Sequence, residues 1–182
     1  DKLLKTFPEE IQKQKTRIAA LQQDSQIAAA HPQDKENFCG MTIKGMVYDD
    51  KKAAGERLLL ARQEMPNADM MLLGTYRCFE LNIRFDSFKN EHQAVLRAEL
   101  SYPVSLGDDA RGNITRLDNT IDNFADRIAD AENALQNLEQ QKQAAEVEVA
   151  KPFAQEEELA EKSARLAELN ALLNIDRDRS SS

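Results

Sequence analysis

Tryptophan is absent from the 182 residues, aromatic side chains make up 5%, and glycine and proline number 6 and 5. Few aromatics and few turn-formers argue against a large globular core threaded by many loops, and charged residues at 31% favour long solvated helices. The two cysteines, Cys39 and Cys78, form no CxxC pattern and sit among apolar neighbours. Metal binding and redox catalysis are therefore not expected, and both thiols read as buried, reduced core residues. No stretch is long and apolar enough for a membrane span, and no signal peptide is visible, so a cytoplasmic location is expected. The chain opens on Asp1 rather than on an initiator Met, and it reads as a piece cut from a larger protein.

What charge there is lies unevenly. Residues 1–30 carry five basic and four acidic groups, and residues 31–112 carry eleven and thirteen. Residues 113–182 carry eight and fifteen, so the net charge of −8 sits almost wholly at the C-terminal end. Acidic helices repel phosphate, which makes that segment a poor nucleic-acid surface.

Apolar periodicity divides the chain in three. Leu4, Phe7, Ile11, Ile18, Leu21 and Ala28 fall on one seam at spacings of three and four, weakened by Gln14 and Ser25. His31-Pro32 ends that helix, because the residue before proline is pushed out of the helical region. A second seam runs through Ile114, Leu117, Ile121, Phe124, Ile128, Ala131, Leu135, Leu138, Lys142, Ala145 and Val149. Asn113 is placed to cap it. A helix over 113–150 would be about 55 Å long. Pro152 interrupts the pattern, and a kinked continuation and a tight reversal both satisfy it. Leu159, Leu166, Leu169 and Leu173 then resume an apolar stripe before a frayed tail at 177–182.

The middle changes period. Residues 38–43 and 46–48 flank Lys44-Gly45 as a short hairpin. Asp49 or Asp50 caps a helix running to Met65, with Ala54, Leu58, Ala61 and Met65 inward and Pro66-Asn67 as its stop. Residues 72–76 read as a strand. Phe79, Leu81, Ile83 and Phe85 alternate with Glu80, Asn82 and Arg84, the period of a half-buried strand. Ala94, Leu96, Ala98 and Leu100 repeat it, with Val95 as an exception on the polar face, and residues 102–106 supply a last strand. The expected fold is α+β: a small antiparallel-sheet head with one helix at 32–112, inserted between long heptad helices. Those helices, 1–31 and 113–176 with a kink or break at 151–153, would form an antiparallel coiled-coil stem.

Three stretches carry a resemblance: FCGMTIKGMVYDDKKAAGERLL, LGTYRCFELNIRFDSF and LSYPVSLGDDARGNITRLDN, followed by the tail KPFAQEEELAEKSARLAELNALLN. Together they cover nearly the whole chain. They resemble the C-terminal region of very large bacterial proteins of conjugative elements, which join a Swi/Snf-type helicase region to an adenine-specific DNA methyltransferase region. The resemblance implies a place in DNA processing on a mobile genetic element. It does not imply catalysis here. The sequence holds no GxxxxGK[ST] phosphate loop, no DEAD-like box and no Asn-Pro-Pro-Tyr or Asp-Pro-Pro-Tyr motif. The expected role is a non-catalytic accessory or interaction module whose partners are other domains of the parent protein, with no cofactor and no metal. The alternative is a nucleic-acid-binding module that positions the parent enzyme on DNA. Self-association through Leu159, Leu166, Leu169 and Leu173 is a third possibility.

Candidate contacts follow from local chemistry. Leu106 to Arg116 places two glycines, two carboxylates and two arginines where head meets helix. A helix start with Arg111, Gly112, Asn113 and Arg116 is the arrangement that holds an anion or a nucleic-acid phosphate. A capped junction turn explains the same residues, and Asp108 and Asp109 oppose an anion. Tyr76 and Arg77 lie between two strands, where an exposed tip would stack on a base and an ordinary hairpin turn is the plainer explanation. Lys51, Lys52, Arg57 and Arg62 on the head helix are diluted by Asp49, Asp50, Glu56 and Glu64. His31 and His92 lack a ligand or triad partner at local spacing. Asp118, Asp122, Asp126 and Asp130 recur every four residues, a spacing that suits a divalent cation or, more commonly, a solvated acidic face.

Overall fold

The computed structural model describes residues 2–34, 36–65 and 69–180. Helix α1 (Lys2–Ala30) is followed by strands β1 (Met41–Ile43) and β2 (Met46–Tyr48), then helix α2 (Lys51–Glu64). Strands β3 (Met71–Tyr76), β4 (Phe79–Asp86), β5 (Glu91–Arg97) and β6 (Ser101–Ser105) come next, then helices α3 (Ala110–Ile121) and α4 (Phe124–Ser180). The strands form one antiparallel sheet in the order β2-β1-β3-β4-β5-β6. The α+β class is as the periodicities require.

The period-two pattern sets the register. Leu81 pairs with Leu96 and Leu96 with Tyr102, while Ile83 pairs with Ala94 and Ala94 with Val104, so β4, β5 and β6 share one apolar face. Phe79, Leu81, Ile83, Ala94 and Leu96 on that face are fully buried. Val95 stands opposite Asn82 and Pro103 on the other face. Pro103 sits on the edge strand β6, where a missing N–H costs no ladder bond. Helix α2 begins at its cap Asp50, which accepts from the Ala53 N–H at 3.0 Å, and buries Ala54, Gly55, Leu58 and Ala61. Gly55 meets the Ala110 carbonyl so closely that a Cβ would collide with it, and this contact sets how near α2 and α3 approach. Pro66-Asn67, read as the stop of this helix, lies outside the described residues.

Two expectations about the long C-terminal helix need correction. It does not start at Asn113: α3 starts at Ala110, capped by Asp109, and Asn113 is buried inside it. Nor is it continuous from there, because Asp122 leaves helical geometry and α4 starts anew at Phe124. The break lets Phe124 stack on Phe79 at 6.0 Å and meet Tyr102 edge-on at 5.1 Å. The head thus holds a second helix, α3, besides α2. Beyond it α4 runs through Pro152, so the helix neither reverses nor stops there. Proline leaves the Glu148 carbonyl without its helical donor, and Lys151 bonds the Glu148 carboxylate at 3.1 Å alongside. The segment expected to fray is helical as far as Ser180; Ser181 and Ser182 lie outside the described residues.

Residues 13–134 form one compact unit, and residues up to Gln12 with those from Leu135 onward form another. The unit that contains the sheet is therefore wider than 32–112, because α1 and α3 are bonded into the strand ends, as described below. Within it Ile18, Leu21 and Ala28 of α1 and Ile114, Leu117, Ile121, Phe124 and Ala131 of the second seam are buried. Gln14, a weak point of the first seam, donates its Nε2 to the Ala131 carbonyl at 3.0 Å. In the other unit Phe7 is buried and Leu135, Leu138, Lys142 and Ala145 are half-buried, while every described residue from Glu146 to Ile175 is exposed. No helix among the described residues is long and apolar enough to cross a membrane.

Candidate functional site

The tight turn between β3 and β4 gathers a set of buried polar side chains. Arg77 and Cys78 both adopt positive φ, 48° and 68°, which reverses the chain in two residues. The turn drives Arg77 inward. Its Nε donates to the His31 carbonyl at 2.8 Å, Nη1 to Asp118 at 3.2 Å and Nη2 to Asp122 at 2.6 Å. Tyr76 donates its hydroxyl to the same Asp118 oxygen at 2.6 Å. The Arg77 side chain is 1% exposed and that of Asp118 4%, whereas Asp122 is 45% exposed. Burial lifts the Asp118 carboxyl above its ordinary range, with Tyr76 and Arg77 pulling it part of the way back. Burial acts against the charge of Arg77 as well, but the carboxylates of Asp122 and Asp118 more than offset it and the guanidinium stays protonated. The Tyr76 hydroxyl is pushed up by burial and by its bond to Asp118, so it remains a donor.

This arrangement overturns the exposed-tip expectation for Tyr76 and Arg77. Both are buried, and their polar atoms face their own chain rather than a base. It also divides the four-residue aspartate stripe, since Asp118 and Asp122 hold Arg77 while Asp126 and Asp130 face solvent. Among the described residues no group of three or more His, Cys, Asp or Glu side chains could hold a metal ion.

A second anchor, which the sequence reading missed, lies on α1. Asp24 is fully buried and accepts the backbone N–H groups of Glu99 and Leu100 at 2.9 and 3.0 Å and the Tyr102 hydroxyl at 2.5 Å. Burial and this bond push the Tyr102 hydroxyl well up, which keeps it protonated. A carboxylate between Leu21 and Ala28, on the buried side of an apolar seam, is the one signal that could have found it. Arg77 thus fastens the β3–β4 turn to α3 and to His31 just past α1, and Asp24 fastens the β5–β6 turn to α1.

The junction before α3 is filled by its own chain. Asp109 accepts from the Gly112 N–H at 3.2 Å, Asn113 bonds both the N–H and the carbonyl of Gly107, and Arg116 donates to the Ser105 carbonyl at 3.0 Å. Arg62 reaches the Gly107 carbonyl and Asp108. The N-terminus of α3 already carries the anion it needs, so Gly112, Asn113 and Arg116 form a junction turn rather than a phosphate cradle. Of the other head-helix cations, Arg57 pairs with Glu64 and Lys51 donates to Thr115.

Arg111 lines a cleft of about 540 Å³. Cys39, Tyr76 and Asp118 line it beside Arg111 and Lys51, and Asp34, Glu36, Asp49 and Asp50 complete its polar wall. Carboxylates outnumber cations here, which disfavours a phosphate ligand. Both cysteines are exposed, against the expectation of buried core thiols. Each lies in an irregular segment at the sheet's end, Cys39 before β1 and Cys78 in the turn, where apolar neighbours in sequence are not neighbours in the core. Partial burial pushes the Cys39 thiol above its usual range, the wrong direction for a nucleophile. His31, Cys39 and Cys78 line one shallow hollow, but His31 Nδ1 is engaged with the Ile27 carbonyl at 3.0 Å and Cys39 Sγ donates to the Gly40 carbonyl at 3.7 Å. His92 packs edge-on against Phe85 at 5.0 Å, far along the sheet.

Comparison with protein-family models, with curated proteins and with solved structures gives no match.

Proposed function

We propose that this chain is a non-catalytic interaction module serving a large DNA-processing protein of the helicase and methyltransferase kind that its sequence resembles. In this reading α1 and the first part of α4 pair antiparallel as a coiled-coil stem, and the α+β head is the recognition element. One observation carries the reading: the stretch of α4 after Glu146 exposes an apolar stripe that no described residue covers, with Leu159, Leu166, Leu169 and Leu173 each 56–65% exposed. A stripe of that extent marks an interaction surface. The head supports it from the other side, because its buried ionic groups fasten strands to helices.

The test is an assay of the 182-residue chain for ATP hydrolysis and for methyl transfer from a labelled donor to duplex and single-stranded DNA. The expected result is no turnover above the protein-free blank. Reproducible turnover of either kind, lost on heat denaturation, would end this reading.

A further inference from the structure

We infer that the exposed stripe of α4 is covered by the same segment of a second copy, running antiparallel. The inference rests on the interaction-module reading and names its partner. Leu159, Leu166 and Leu173 recur every seven residues with Leu169 between the last two, which is the seam spacing of paired helices. These four, with Leu172 and Ile175, are all at least half exposed. A fully covered leucine removes about 100 Å² of apolar surface. Leu159, Leu166, Leu169 and Leu173 on each of two copies come to roughly 800 Å² of apolar surface, the size of a weak, reversible contact. Ala160, Ala164, Ala167 and Ala171 beside the leucines leave room for close approach.

Charge selects the direction. Residues 146–161 carry six carboxylates and one lysine, while residues 162–175 carry Lys162, Arg165 and a single carboxylate, Glu168. Parallel pairing lays Glu156, Glu157 and Glu158 against the same three residues of the second copy, in like-charge contact. Antiparallel pairing about Leu166 sets Glu157, Glu158 and Glu161 against Ile175, Asn174 and Ala171 instead. The first seam cannot supply the partner from within the chain, since half-burial along α4 ends at Ala145.

Sedimentation velocity on the full chain across a wide concentration range should show a monomer–dimer equilibrium. Leu166→Glu with Leu169→Glu should abolish the dimer and leave far-ultraviolet circular dichroism unchanged, because both positions are exposed. Direction is read separately from electron spin–spin distances on Lys151→Cys in a Cys39→Ser, Cys78→Ser background. Antiparallel pairing about Leu166 separates the two labels by about 45 Å, fifteen residues of helical rise on each side. Parallel pairing brings them within about 10–20 Å, and that result overturns the proposed direction. A strict monomer at every concentration overturns the self-pairing altogether and points to a different protein on the stripe. Neither outcome touches the turnover assays that decide the non-catalytic reading, so the two can fail separately.

Discussion

Replacing Arg77 with Ala should be the most costly single change in the sheet-bearing unit. The substitution removes three hydrogen bonds from a site where the arginine is 1% and Asp118 4% exposed. Breaking a buried pair by deleting one partner costs about 3–5 kcal/mol, since the remaining charge is left uncompensated. The Asp122 bond adds little, because that carboxylate is 45% exposed and is resolvated when the partner goes. Against a typical total of about 5–15 kcal/mol, the loss is a large fraction of stability. Urea unfolding followed by tyrosine fluorescence would show it as a lower midpoint at unchanged slope. The deficit should also depend on pH. Asp118 is already held above its ordinary value of 3.8 by burial, and loss of the arginine raises it further. A native pKa above the unfolded one means the native state binds the proton more tightly, so that contribution is present in acid and fades as pH rises through the native pKa. The Arg77→Ala deficit should therefore be smaller in mild acid than at neutral pH. The double variant with Asp118→Ala should lose less than the sum of the singles, by about 1–3 kcal/mol. A deficit under about 1 kcal/mol, or simple additivity, would refute the buried pair as the tie between turn and helices.

Much of this architecture was legible because its signals are periodic. Strand β4 alternates cleanly, and the structure makes it the centre of the apolar face. The Lys44-Gly45 hairpin and the cap at Asp50 follow from local turn and cap chemistry, although the first hairpin strand starts at Met41, three residues later than expected. Where partners are distant in sequence, reading failed. Nothing near Arg77 announces that its partners are His31, Asp118 and Asp122, some forty residues away on either side. Asp24 stands beside an apolar seam without explanation until the Glu99 and Leu100 N–H groups appear beside it. Asn113 is a good cap residue by type, but Asp109 is one turn earlier, and the buried position it frees lets Asn113 bond Gly107. The cysteines misled for the opposite reason, because apolar neighbours in sequence were taken for a core.

Three further outcomes follow from the same contacts. Asp24→Ala should destabilise the unit by about 2–3 kcal/mol, since it strands two backbone donors and a buried tyrosine hydroxyl; hydrogen exchange at Glu99 and Leu100 should accelerate in step. Burial and the nearby Arg62 hold His92 below 6.5. The native state then binds that proton less tightly, so its contribution is complete above 6.5 and is lost as pH falls through the native value; an NMR titration should place the midpoint below 6.5 and Arg62→Ala should raise it. Both cysteines should react with a thiol reagent in the native state, and Cys39 should need a pH above that of a free thiol because burial pushes it up; protection of either until unfolding would contradict the exposed placement.

The stem is tested most directly by a distance between α1 and α4 in solution. Spin labels at Lys5→Cys and Gln140→Cys, in a Cys39→Ser, Cys78→Ser background, fall at level positions if the register set by Gln14 and Ala131 continues along both helices. Antiparallel pairing predicts a single narrow distribution at about 10–20 Å, the spacing of packed helices plus label arms. A broad distribution, or one centred beyond about 30 Å, would mean that the two seams do not bury each other.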